Sequence, residues 1–258
     1  MKKLNKIIIA GLFVSTTLFA KGELSIVSAG TGDLDNMTIK AHKAITQADI
    51  IFTMNGKAGK YAELIKEKPI YKIGHGLFSK WLNKKMSKEE AQKEENKIKK
   101  IVLEGFNKNK KMVIIENGDP TIYGPQVGFL EEFKNFNPKI IPGMSSFNAA
   151  NAALKQAVIG GVKNASGVTL TIGSDKNKLI SSLAESKSTM VFFMDRKFNK
   201  FIAHLKTLYP IDTPIAIVIN AGYEKKEKVI IATLNTIEDK VQGKLPFNHL
   251  VYVGNFLK

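Results

Sequence analysis

Apolar residues recur along this chain in short blocks punctuated by glycine turns and lysine-rich stretches. ELSIVSAG (Glu23–Gly30) is nearly continuous in apolar and small residues and ends in glycine, the pattern of a buried strand running into a turn. Behind it Leu34, Met37, Ile39, Ala41, Ala44, Ile45 and Ala48 fall broadly at helical spacing, and ADIIFTM (Ala48–Met54) reads as a second strand. Strand, glycine turn, helix and strand make a βαβ opening. A short strand follows at Pro69–Gly74, and Ser87 with Glu90 forms the capping box of a helix whose inner face is Ile98, Ile101, Val102 and Phe106. Its glutamates crowd the first turns and its lysines the end, as the helix dipole favours. The pattern then predicts a strand at Met112–Glu116, a helix at Gly128–Phe133, a strand at Pro138–Gly143 and a small-residue helix at Ser145–Ala157. GGVKNASG (Gly160–Gly167) reads as a linker. Beyond it strands are predicted at Val168–Ile172, Thr189–Met194, Pro214–Asn220, Lys228–Thr233 and Leu250–Phe256, with helices at Asp175–Ala184, Lys197–Leu205 and Thr236–Val241. The sequence therefore divides into residues 1–20, an α/β lobe over 21–160 and a second α/β lobe over 161–258, with different sheet types.

Charge adds a preference for anionic partners. The chain of 258 residues carries 39 Lys+Arg against 23 Asp+Glu, a net charge of +16, and Arg196 is its only arginine. A flexible, lysine-rich surface without RNA-binding aromatic signatures or zinc-finger spacing argues for solubility and a small anionic ligand, and against nucleic acid. The absence of cysteine excludes disulfides and thiol chemistry. His42, His75, His204 and His249 are scattered without metal-ligand spacing, so no metal is expected. MKKLNK followed by the uncharged run Ile7–Ala20 has the layout of a secretory signal; the apolar run is shorter than the about 20 residues of a membrane span. Cleavage after Ala20 and a periplasmic location are expected, with an uncleaved inner-membrane tether as the alternative.

Three turns carry candidate chemistry: SAGTGD (Ser28–Asp33), NGDPTIYG (Asn117–Gly124) and PGMSSF (Pro142–Phe147), each behind a predicted strand of the first lobe. In an open parallel sheet, ligands bind at the carboxyl ends of the strands. With LSIVSAGTGDLDNMTIKAHKAITQADIIF, ENGDPTIYG, IIPGMSSFNAANAAL, TMVFFM, YPIDTPIAIVINAG and VIIATL in order, residues 24–257 resemble the tetrapyrrole (corrin/porphyrin) methylase family, which includes the uroporphyrinogen-III and precorrin methyltransferases. The resemblance implies two α/β lobes, each a mixed sheet with helices, a cofactor cleft between them and a homodimer. It implies S-adenosylmethionine as cofactor, held by Thr31, Asn117, Gly118, Asp119, Ile122, Ser145, Ser146, Met194, Ala221 and Thr233. Methyl transfer from a sulfonium is an in-line displacement in which positioning outweighs acid–base groups. Asp33 and Tyr123 are the catalytic candidates, Asp33 being equally suited to cap the following helix. The chain departs from the family at Thr31, where proline is usual, at Met54, where aspartate is common, and over residues 55–86; GHGLFSKWL (Gly74–Leu82), with the single tryptophan Trp81, is expected to line the cleft.

The function expected is an S-adenosylmethionine-dependent methyltransferase acting on a tetrapyrrole-like or other anionic small molecule. The alternative is an exported, non-catalytic binding protein for such a ligand, because S-adenosylmethionine is a cytosolic metabolite. Mass spectrometry of the protein recovered from cells should find an N-terminus at Lys21; an intact Met1 rules out cleaved export.

Overall fold

The computed structural model describes residues 22–79, 87–160 and 167–257. The expected signal segment, Trp81 and most of the expected linker lie outside the described residues. Among the described residues no helix is long and apolar enough to cross a membrane.

The first lobe is built on β1 (Glu23–Ser28), α1 (Ile39–Thr46), β2 (Ile50–Thr53), α2 (Ala62–Ile65), β3 (Ile70–Lys72), α3 (Lys88–Asn107), β4 (Lys111–Glu116), α4 (Gly128–Glu132) and β5 (Lys139–Ile141). Its strands lie in the order β3-β2-β4-β1-β5, every pair parallel. β1 and β4 are exposed only at their first residue, which explains their unbroken apolar runs: helices cover both faces of a parallel sheet. One face packs Leu24, Ile26 and Ile114 against Ile98, Val102 and Phe106 of α3. The other packs Val27, Val113 and Ile115 with Ala41 and Ile45 of α1. The predicted capping box is present: Ser87 N donates to Glu90 Oε2 at 2.8 Å and Glu90 N donates to Ser87 Oγ at 3.1 Å. α1 starts only at Ile39, capped by the Thr38 hydroxyl, because the residues before it form a short 3-10 turn, Leu34–Asn36.

A chain crossing follows. α5 (Ser146–Leu154) leaves the end of β5 and lies on the second sheet, packing Ala149, Ala150 and Leu154 against Val191, Val218 and Tyr252. Its small residues allow this close approach, and the Tyr252 hydroxyl ties to Asn151 Oδ1 at 2.9 Å. The helix assigned by the sequence to the first lobe thus shares the core of the second.

The second lobe comprises β6 (Val168–Ile172), α6 (Leu179–Glu185), β7 (Thr189–Phe193), α7 (Phe198–Lys206), β8 (Pro214–Ile219), β9 (Lys228–Thr233), α8 (Ile237–Lys240) and β10 (His249–Val253). Its order is β6-β7-β10-β8-β9, parallel only between β6 and β7. Among the described residues mixed pairing is confined to this sheet; in the first, the one antiparallel contact is the isolated bridge Gly30–Gly118.

The lobes meet backbone to backbone. Asp33 N donates to Gly222 O at 2.9 Å, and Asn36 Nδ2 donates to the same carbonyl at 2.8 Å. Glu224 N returns a bond to Asp33 Oδ2 at 2.9 Å. Gly32 (φ +83°) and Gly222 (φ +82°) make the approach possible, since a methyl on Gly32 would overlap the Gly222 carbonyl. Gly32→Ala is expected to destabilise the protein by about 2–4 kcal/mol in urea unfolding. The control Gly59→Ala, at φ +54° with open space around it, should cost about 1 kcal/mol; equal costs would remove the contact between the lobes from the account.

Candidate active site

The parallel first sheet sends the carboxyl ends of β1, β4 and β5 to one edge, and the three glycine turns gather there. Ser28 sits opposite Glu116 in the β1–β4 register. The turns then brace one another: Gly118 N donates to Gly30 O at 2.9 Å, and Ser28 Oγ donates to Gly118 O at 2.7 Å. From the other side come the carboxyl ends of β7 and β8 and the amino end of β10. Between them is a cavity of about 410 Å³, a size suited to a small-molecule ligand.

Ten of the twelve residues singled out from the sequence line this cavity. Thr31, Asn117, Gly118, Asp119, Ile122 and Tyr123 come from the first two turns, Ser145 and Ser146 from the third, and Met194 and Ala221 from the second lobe. Gly118 (φ +73°) offers its bare backbone, with no atom within 4 Å of the place a Cβ would take. Tyr123 (φ +57°) and Met194 (φ +58°) hold positive φ angles rare for residues with side chains, a form of local strain that clusters at ligand sites. The Tyr123 ring reaches across to Phe193, 5.0 Å between centroids, and partial burial raises its phenol above the ordinary value.

Asp119 is the joint between two turns. Its Oδ1 accepts the Thr121 hydroxyl and, at 2.8 Å, the Thr121 N–H; its Oδ2 accepts Gly143 N at 3.1 Å. Burial opposes the charge, but the Thr121 hydroxyl and the Gly143 and Thr121 N–H groups hold the carboxyl below its ordinary value. Ser145 caps α5, exchanging bonds with Asn148 at 2.7 Å and 3.3 Å. These two side chains therefore shape the site through the loops they fix.

Asp33 and Thr233 are placed elsewhere. Asp33 is exposed and its carboxylate accepts the Glu224 N–H, so it joins the lobes; it makes no side-chain cap to the turn that follows. Thr233 pairs with Pro214 at the start of β8, whereas the cavity is reached at Val218, four residues and about 13 Å further along that strand. Its hydroxyl contacts Thr236 at 3.1 Å.

Besides Tyr223 and Asn248, which also line the cavity, sequence reasoning missed four polar residues. Tyr61 donates to Asn117 Oδ1 at 2.6 Å and fixes that side chain; burial pushes its phenol up. His75, within the stretch expected to line the cleft, and His249, from the far end of the chain, both line the cavity. Glu116, the last residue of β4, is the fourth. It is 3% exposed, lines the cavity, and its Oε2 has no hydrogen-bond partner among the described residues. Burial pushes its carboxyl from 4.5 up to about 7, against the pull of the Gln126 backbone N–H. The available signal was an acidic residue closing an apolar strand directly before a glycine turn. Among the described residues no cluster of His, Asp and Glu suits a metal ion.

The family model for tetrapyrrole (corrin/porphyrin) methylases matches residues 23–238. The chain is 32% identical over 246 residues to the cobalt-precorrin-4 C(11)-methyltransferase of Methanocaldococcus jannaschii, covering 90% of this chain and 87% of that protein. It also matches siroheme synthases, of whose length it spans about half: 48% for that of Actinobacillus pleuropneumoniae, at 26% identity over 92% of this chain. The fold is similar to the crystal structure of a cobalt precorrin-4 methyltransferase, with a TM-score of 0.70 at 23% identity over 92% of this chain and 96% of that one. It is similar as well to a Thermus thermophilus uroporphyrin-III C-methyltransferase complexed with S-adenosylhomocysteine, with a TM-score of 0.64 at 19% identity over 92% and 94%.

The Glu116 shift has a sign that stability measurements can read. Its folded pKa lies above the unfolded one, so its contribution to stability is full below about pH 4.5 and is lost as the pH rises through about 7. Glu116→Gln cannot ionise; it should match the wild type near pH 4.5 and exceed it by roughly 2–3 kcal/mol near pH 8.5. Urea unfolding at both pH values checks this, and a pH-independent difference contradicts it.

Proposed function

Because the chain belongs to the tetrapyrrole (corrin/porphyrin) methylase family, we propose that it is an S-adenosylmethionine-dependent methyltransferase acting on a carboxylate-bearing tetrapyrrole. The observation that carries this reading is the single cavity into which the three glycine turns and the Met194 and Ala221 segments converge. The donor set suits an amino-acid-bearing nucleoside: bare backbone at Gly118, the Asn117 amide held by Tyr61, the Ser146 hydroxyl, and apolar walls at Ile122, Met194 and Ala221. When bound, the cofactor supplies an electrophilic methyl group on sulfur. The protein's task is to hold donor and acceptor in line and to exclude water.

The anionic substrate class is supported by the net charge of +16 and by the methyltransferase relatives. The substrate wall is where this chain differs most from the family pattern, so the substrate is proposed by class. Export and a homodimer belong to the same proposal, the first on the pattern of Met1–Ala20 and the second on the family resemblance.

Calorimetric titration of the chain beginning at Lys21 should show one equivalent of S-adenosylmethionine or S-adenosylhomocysteine bound; no heat with either overturns the reading. Asp119→Ala removes the joint between the second and third turns and should weaken binding at least about tenfold. Thr233→Ala, far from the cavity, should leave affinity unchanged.

A further inference from the structure

The geometry points to Glu116 as the group that takes the substrate's proton during methyl transfer. This rests on the methyltransferase reading above and adds to it a catalytic residue that neither the turn motifs nor their resemblance assigned.

Carbon methylation has a fixed balance. The sulfur–carbon bond of the donor breaks as a carbon–carbon bond forms on the tetrapyrrole, the sulfonium becomes a neutral thioether, and the methylated ring system releases one proton. A positioned base accelerates such a step by about 10²–10⁴-fold. Among the described residues two carboxylates line the cavity, and they differ in what they have left to offer. Both oxygens of Asp119 are occupied by Thr121 and Gly143. Glu116 is buried at the end of the rigid strand β4, one residue before the Asn117–Gly118 turn, and its Oε2 is unpartnered. A carboxylate placed this way is pre-positioned by the sheet and has a lone pair free for a proton.

The other groups around the cavity serve less well. Asp33 lies outside it and is engaged with Glu224. The phenols of Tyr61 and Tyr123 are raised by burial and keep their protons at neutral pH. Tyr61 is also committed to Asn117, and Lys60 donates to Gly32 O while its ammonium stands 5.6 Å from the Tyr223 ring centroid. His249, held through Nδ1 by Pro246 O at 2.7 Å, also has a buried Nε2 with no partner among the described residues, but it comes from the second lobe and not from the strand that carries the Asn117–Gly118 turn; His75, beyond β3, is exposed. The titratable groups that share the cavity with Glu116 are His75, Asp119, Tyr123, Tyr223 and His249, and Tyr61 is close enough to feel its charge. A carboxyl raised to about 7 is matched to proton transfer near neutral pH.

The test compares wild type, Glu116→Gln and Glu116→Asp. Calorimetry should give all three the same S-adenosylmethionine affinity within about threefold. Transfer of labelled methyl from S-adenosylmethionine to uroporphyrinogen III and to cobalt-precorrin-4 is followed across pH. The rate constant should fall about 100-fold or more in Glu116→Gln, recover in part in Glu116→Asp, and lose its acid limb near pH 7 in Glu116→Gln. A Glu116→Gln rate within threefold of wild type, or a loss matched by lost cofactor affinity, overturns the role while leaving the methyltransferase reading in place. Failure of the wild type to bind S-adenosylmethionine overturns that reading and this role with it. If the cofactor binds but neither tetrapyrrole is methylated, the infrared carbonyl band that disappears in Glu116→Gln decides. A band that titrates between about pH 6 and 8 in the cofactor complex supports the role, and one still fully protonated near pH 8.5 overturns it.

Discussion

The contact between Gly32 and Gly222 is the constraint on which the cleft depends. Each lobe has its own sheet and core, and the cavity exists only because the two stand at a fixed separation. That separation is set where two side-chain-free backbones touch, with the Gly222 carbonyl accepting the Asp33 backbone N–H and the Asn36 side-chain amide. Thr31 and Ala221, which line the cavity, are the immediate neighbours of these two glycines. Any side chain at Gly32 would push the turn off Gly222 and move both walls. α5 adds a second tie, since it begins at the third turn and is buried on the second sheet.

Within that frame, two carboxylates three residues apart have opposite fates. Asp119 is stabilised as an anion by the hydrogen bonds that join the turns, and its role is architectural. Glu116, on the adjoining strand end, is more deeply buried and keeps an oxygen free, so its carboxyl rises toward neutrality. Environments that push two like groups apart in this way allow one fold to hold a fixed charge and a movable proton side by side. The cost falls on stability at alkaline pH, the usual exchange at a functional site.

Much of the molecule was legible in advance. The continuous apolar runs marked buried strands, and Ser87 with Glu90 marked a helix start, because both patterns are local. The three turns announced themselves by glycine and proline, which are needed wherever backbone takes positive φ or sits close to a ligand. Thr233 misled because resemblance at a strand end does not say which end of the sheet faces the cleft. Asp33 misled for a related reason: its neighbours suggested a helix cap or an acid near the ligand, while its partner was Glu224, nearly two hundred residues away. Tyr61 and His249 lie in segments with no motif, and only packing brings them to the site, Tyr61 through its bond to Asn117; His75 belongs to the stretch expected to line the cleft.

The sequence by itself determined the order and type of most elements, α2 (Ala62–Ile65) excepted, the two-lobed plan and the location of the glycine turns. Those properties follow from periodicity and backbone stereochemistry, which act over a few residues. Tertiary structure decided the parallel pairing of the first sheet, the crossing of α5 to the second, and which polar side chains face the cavity. It also decided what those side chains can do. A carboxylate's charge state depends on burial and on who donates to its oxygens, and for Asp119 and Glu116 those answers come from residues that only the folded chain brings near.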